Sequence, residues 1–357
     1  MLSTFSLKRT LAGACLAALA LPGTNLTAAT FTPSVFATGA AVSGTSPDSV
    51  VFGDGSLWVS FQNGADSTGA SGASTVVRYS LQGAVENTWS IAGNVDGLRI
   101  DPNGQVWALQ NNDGNSALSV INPVTNATTS YTYGASYTNV ANRGFDDVEF
   151  PNGQTFLSET NPASGTDPIL VRLTTPLASP LEIAGILNST FTGTDLATGN
   201  QASTTITDPD SLILDPSGDL VLTGEGDQQI VWVFHPGAAN QSESFLSLLS
   251  PGGGPITGSP DDTVFPTAAS GIFFISDTGA NTVYALQASG LTPGSVYVDV
   301  GGVFGSLNTS TGVVTPIFTG VSPHGVVFVT TPEPASLILL AAGLALLTAT
   351  ASRVRRT

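Results

Sequence analysis

One phrase keeps returning along this chain, and it restricts the fold more than any other feature. It reads SPDSVVFGDGSLWVSF from residue 46, NVDGLRIDPNGQVWAL from 94, GFDDVEFPNGQTFLSE from 144, DPDSLILDPSGDLVLTG from 208 and SPDDTVFPTAASGIFFISD from 259. A shortened copy, SPHGVVFV, begins at 322. Each copy reads as a turn, an apolar strand, a Gly-bearing hairpin turn and a second apolar strand. Third strands follow in TVVRYSL at 75, QIVWVF at 229 and NTVYAL at 281, and fourth strands in ENTWSIAG at 86 and SESFLSLL at 242.

Equivalent positions fall at 48, 96, 146, 210, 261 and 324, spaced by roughly 50 to 64 residues. Four-stranded units at that period predict an all-β chain folded as a β-propeller, each sheet buried between its neighbours. Burial on both faces explains first strands that are apolar at nearly every position, where a sandwich would alternate. Six first strands predict six blades, with FTPSVFATG from residue 31 closing the ring beside the C-terminal strand. The stretch from 294 to 320 holds several strands without the refrain, which leaves seven blades open.

Both ends of the chain read as handling signals. Lys8 and Arg9, an apolar run from Leu11 to Leu21 and the small residues Thr27 to Ala29 predict a secretory signal peptide over 1–29. Cys15 reads as a small apolar residue of that segment, since Ala12 stands where a lipoprotein signal wants a larger aliphatic. The propeller is expected over 30–330 and a sorting or membrane segment over 331–357. Residues 335 to 352 are apolar and, as a helix, reach roughly 27 Å, enough to cross a bilayer core. Arg353, Arg355 and Arg356 then hold that end in the cytoplasm.

The tail resembles the PEP-CTERM sorting signal: Pro332-Glu333-Pro334, a short hydrophobic helix and a terminal basic cluster. The resemblance covers about the last 26 residues. It implies a Gram-negative, exopolysaccharide-making source and processing by an exosortase at the inner membrane. A plain membrane anchor is the alternative. The refrain itself is similar to the NHL-repeat and SMP-30/gluconolactonase group of propellers, with DTGANTVY at 277 the nearest echo. That resemblance implies fold before function.

Composition excludes several functions. Between the two signals only Arg78, Arg99, Arg143 and Arg172 are basic, against 25 of the chain's 26 acids, a formal charge of 4 − 25 = −21. Such a surface repels phosphate backbones and attracts cations, so no nucleic-acid partner is expected. The same block has no cysteine, hence no disulfide, thiolate nucleophile or cysteine-bound metal.

The refrain places Asp48, Asp96, Asp146, Asp210, Asp261 and finally His324 at the start of each inner strand. Propeller geometry gathers those positions at one mouth of the central channel. The loops after the second strands return there with Asn63, Asp66, Asp113, Glu159, Glu225, Asp227 and Asp277. Hard oxygen ligands converging at one mouth suit Ca²⁺ or another divalent cation, and His324 would admit a softer metal. The competing reading makes each aspartate a turn former that bonds the backbone two residues on. His235, Trp58, Trp107 and Trp232 read as structural, and no nucleophile elbow or metalloprotease motif is present.

Two functions follow. One is a secreted propeller that binds or builds the bacterial surface or its exopolysaccharide matrix. The other, implied by the gluconolactonase resemblance, is a metal-dependent lactonase-like hydrolase. Several first-strand side chains within metal-ligand distance favour the second; side chains bonded into their own turns favour the first.

Overall fold

The computed structural model describes residues 28–134, 143–174 and 177–331. The signal-peptide residues through 27, Pro332-Glu333-Pro334, the expected C-terminal helix and Arg353, Arg355 and Arg356 lie outside them. Among the described residues no helix is long and apolar enough to cross a membrane.

The strands pair into six sheets around a channel, a six-bladed β-propeller. Blade one runs outward from the channel as Pro47–Gly53, Ser56–Phe61, Ala73–Ser80 and Val85–Ala92. Blade two is Val95–Ile100, Val106–Gln110, Ala117–Ile121 and Thr128–Thr132. Blade three is Phe145–Glu149, Phe156–Glu159, Pro168–Leu173 and Ile183–Asn188. Blade four, Pro209–Leu214, Leu220–Gly224, Gln229–Phe234 and Ser242–Ser247, is widened by the hairpin Thr190–Asp195 and Asn200–Thr205, whose first strand pairs parallel to the fourth.

The last two blades are interlocked, which corrects the reading of the fifth refrain as one hairpin. Blade five is Pro260–Val264, Val296–Val300, Val303–Leu307 and Val314–Thr319. Between its first and second strands the chain crosses into blade six and lays down Ser270–Asp277 and Thr282–Ser289. It then returns to finish blade five before supplying Pro323–Thr330 as the innermost strand of blade six. The refrain-free stretch from 294 is therefore the remainder of blade five and not a seventh blade. Thr30–Thr38 is the outermost strand of blade six, paired with Thr282–Ser289. It shares a sheet with the C-terminal strand but is separated from it by two strands, not beside it as expected. In that sheet Thr30 and Thr330 stand at the end away from Asp277 and Pro323, so both described termini leave from the face opposite the refrain residues.

Local chemistry accounts for the hairpins. Asp54 and Gly55 both adopt positive φ, 50° and 75°, the two-residue turn that Asp-Gly favours. At the same end of blades two and four the turn reads Asp-Pro-x-Gly. There Asp101 Oδ1 accepts the N–H groups of Asn103 and Gln105 at 2.8 and 2.9 Å, and Asp215 Oδ1 those of Ser217 and Asp219 at 2.8 and 3.1 Å. Between blades the sheets bury their faces in six apolar clusters. Trp58, Trp107 and Trp232 belong to them, and Trp58 stacks on Trp89 with ring centroids 5.0 Å apart.

Candidate metal centre at the channel mouth

Each inner strand loses its register at the refrain. Pairing with the second strand shifts between Pro47 and Val50, Val95 and Leu98, Phe145 and Val148, Pro209 and Leu212, and Pro260 and Thr263. In blade six it shifts across His324. A bulge of this kind re-aims the side chains it contains. The first refrain residue turns into the channel and the second toward the neighbouring blade. Ser49 Oγ accepts the Leu98 N–H at 3.0 Å, Asp147 Oδ2 the Leu212 N–H at 3.1 Å and Asp262 Oδ2 the Val326 N–H at 2.7 Å. Where the second residue is glycine the backbones touch directly: a Cβ on Gly97 would lie 1.9 Å from the Asp146 carbonyl oxygen.

All six expected residues, Asp48, Asp96, Asp146, Asp210, Asp261 and His324, line one cavity of about 360 Å³ at the mouth. Among the described residues no backbone N–H donates to any of the five aspartate side chains. Asp101 and Asp215, which do bond the backbone of their own turns, stand at the opposite end. The ring divides in two. Asp96, Asp146 and Asp210, from consecutive blades two, three and four, each offer an oxygen within 4.8 Å of the others. Asp48, Asp261 and His324 do not join that triad. Instead His324 Nδ1 lies 2.9 Å from Asp261 Oδ2 and 3.7 Å from Asp48 Oδ1.

The electrostatics are those of crowded, buried acid. Burial first, and neighbouring carboxylates second, hold Asp48, Asp146, Asp210 and Asp261 well above the usual carboxylate range. Asp96 is raised too by burial, but the neighbouring Asp146 and Asp48 carboxyls and the nearness of His324 ease it. Gln62 Nε2 also donates to Asp96 Oδ1 at 2.9 Å. Asp146 is 3% exposed and neither of its carboxyl oxygens has a hydrogen-bond partner. A buried polar group left in that state costs about 1–3 kcal/mol, more if charged. Burial pushes His324 below its ordinary value, so its ring is neutral at neutral pH.

The second tier is mostly structural. Asp113 and Glu225 line the cavity. Asn63 bonds Thr45, Ala73 and Thr75; Asp66 caps Thr68; Asp227 accepts from Thr207; Asp277 accepts from Ala280 and Ser322. Glu159 pairs with Arg143 and does not line the cavity. Sequence reasoning missed Asp208, pushed up to about 6 by burial and then Glu225, and Asp262, pushed up to about 6 by burial and then Asp147. Both line the cavity, and Asp147 with them. For Asp147 and Asp262 the available signal was the doublets Asp146-Asp147 and Asp261-Asp262, where other blades read Asp-Ser, Asp-Gly or His-Gly.

A divalent cation fits this donor set: three carboxylates on hard oxygen atoms, one of them buried without a partner.

No known protein-family profile matches the chain, and no curated protein matches it. Solved structures do. The periplasmic gluconolactonase of Pseudomonas aeruginosa is 15% identical with a TM-score of 0.44, over 80% of this chain and 89% of that one. A gluconolactonase of Xanthomonas campestris is 14% identical with a TM-score of 0.47, over 79% of each chain. Virginiamycin B lyase of Staphylococcus aureus is 12% identical with a TM-score of 0.47, over 84% of this chain and 92% of that one. Likeness this distant carries no residue roles to this chain.

Proposed function

We propose that this chain is an exported propeller that binds a divalent cation on Asp96, Asp146 and Asp210 and presents it to a small, oxygen-rich ligand at the channel mouth. The observation that carries this is the convergence of three carboxylates from three blades, one of them buried with no other partner. Three protein oxygens leave at least half of a calcium shell of 6–8 ligands to water or ligand. In this reading the protein serves at the bacterial surface or in its exopolysaccharide matrix. The paired terminal signals support export, exosortase processing and transient attachment to the inner membrane. Calorimetric titration of residues 30–330 with Ca²⁺ and Mn²⁺ tests the cation; no heat with either sinks the proposal.

A second reading, a lactonase-like hydrolase, is favoured by the same convergence of carboxylates and by His324 beside it. A bound cation supplies polarisation of a carbonyl. In the same cavity Nδ1 of His324 is held against Asp261 at 2.9 Å, which leaves Nε2 to carry a proton. The neutral ring serves as a general base and Asp261 holds its orientation. Hydrolysis of a panel of sugar and acyl lactones, abolished in His324→Gln, would establish this reading. Absence of turnover in the cation-loaded protein leaves the binding role alone.

A further inference from the structure

Three residues beyond the refrain position, each inner strand has an equivalent site deeper in the channel. Blades one, four, five and six place Val51, Ile213, Val264 and Val327 there, all lining a second cavity of about 120 Å³. Blades two and three instead carry Arg99 and Glu149. The Arg99 side chain is 20% exposed, that of Asp147 8% and that of Glu149 11%.

Arg99 ties its own strand to two others. Its Nη2 donates to the Asp147 carboxylate and to the Leu212 carbonyl, the latter at 2.5 Å. Its Nε donates to the Val148 carbonyl at 3.0 Å, and Nη1 lies 3.3 Å from Glu149 Oε1. Asp147 Oδ2 closes the circuit by accepting the Leu212 N–H at 3.1 Å. The fork thus joins the inner strands of blades two, three and four. These are the three blades whose Asp96, Asp146 and Asp210 converge. Blades five, six and one have the Asp262–Val326 bond but no guanidinium, and Asp261, His324 and Asp48 stay outside the triad.

Burying an ion pair wins little stability, because desolvation consumes most of the attraction. Four blades pack the same site with an aliphatic side chain. We infer that Arg99 is a positioning residue: its planar fork locks three inner strands at the spacing that brings the triad together. The locking rests on geometry alone; its consequence for cation binding rests on the function proposed above.

Two measurements on residues 30–330 keep these separate. Crystal structures of the metal-free wild type and of Arg99→Met compare the carboxyl spacing directly. In the variant at least one of Asp96, Asp146 and Asp210 is expected to leave the group; unchanged spacing overturns the inference. Calcium calorimetry then compares wild type, Arg99→Met, Arg99→Lys and Leu246→Ala. Lysine keeps the charge but cannot bridge three strands, so both Arg99 variants should weaken Ca²⁺ by about tenfold or more. Leu246→Ala, a core cavity elsewhere, should leave the affinity unchanged. Wild-type affinity in Arg99→Lys, or equal loss in Leu246→Ala, overturns the positioning role. If the wild type itself fails to bind Ca²⁺, the cation reading falls, and the crystal spacing still decides the role of Arg99.

Discussion

Replacing Asp146 by Asn tests the site at its most exposed assumption. Asp146 is buried, its oxygens have no donor, and it stands between Asp96 and Asp210. Asparagine keeps the shape, but removes the charge and puts an amide nitrogen where an oxygen ligand stood. Saturation at a hundredfold above Kd stabilises the wild type by about 2.7 kcal/mol. With an unfolding entropy of about 2.1 cal/mol/K per residue over about 300 residues, that is a rise of about 4 °C in Tm. The assay is thermal unfolding in chelator and in excess Ca²⁺, with ionic strength matched by NaCl so that general screening is equal. The wild type should shift by about those few degrees, and Asp146→Asn by less than one. In chelator the variant should melt at or above the wild type, because one member of a repelling group is gone. An equal shift in both proteins would falsify the assignment of the cation to this triad. A wild type indifferent to both chelator and calcium removes the site altogether.

Three further outcomes are expected. A carboxyl with a higher pKa in the folded than in the unfolded chain holds its proton between the two values, so folding takes up protons and stability falls as pH rises through that window. Asp262, moved from 3.8 to about 6, contributes on the order of 3 kcal/mol of such loss, and the other raised ring acids act with the same sign. Urea unfolding of the metal-free protein should therefore show greater stability near pH 4 than near pH 7, and a flat or opposite profile contradicts the ring's electrostatics. Gly97→Ala, whose methyl group meets the Asp146 carbonyl at 1.9 Å, should cost about 1–3 kcal/mol in urea unfolding and abolish the calcium shift. Intact-mass measurement of the protein from its native host should find an N-terminus near Thr30 and no residues beyond the Pro332–Pro334 region; a chain still ending in Arg356-Thr357 contradicts the sorting signal.

Periodicity was the legible part of the fold, because six copies of one phrase at blade spacing admit few architectures. The mouth was legible for the same reason: a repeat puts equivalent residues on one ring. The interlock of blades five and six was not read, although a local clue existed. Blades one to four turn between their first two strands on Gly-bearing sequences, whereas Phe265-Pro266-Thr267-Ala268-Ala269 offers no residue suited to a tight hairpin. The division of the ring also stayed hidden. It depends on Arg99, whose bonds span residues 99 to 212, and no one-dimensional pattern shows which strands a guanidinium will reach. Two aspartates that do form turns, Asp101 and Asp215, were recognisable in hindsight by the proline that follows each.

Both termini of the described chain leave from the face opposite the acid ring, and this gives the molecule a polarity. Any attachment made through the segment after Thr331, whether to a membrane helix or to an exosortase product, pulls on the innermost strand of blade six from below. That strand is hydrogen-bonded to Ser270–Asp277, and through it and its neighbour to Thr30–Thr38. Traction is thus shared across a whole sheet and not taken by a fraying end. A tethered copy would stand with its cup of carboxylates turned away from the anchoring surface, toward whatever the medium brings. A lawn of such copies would be a field of upright, negatively charged receptacles, its open ends selected by the direction of one strand.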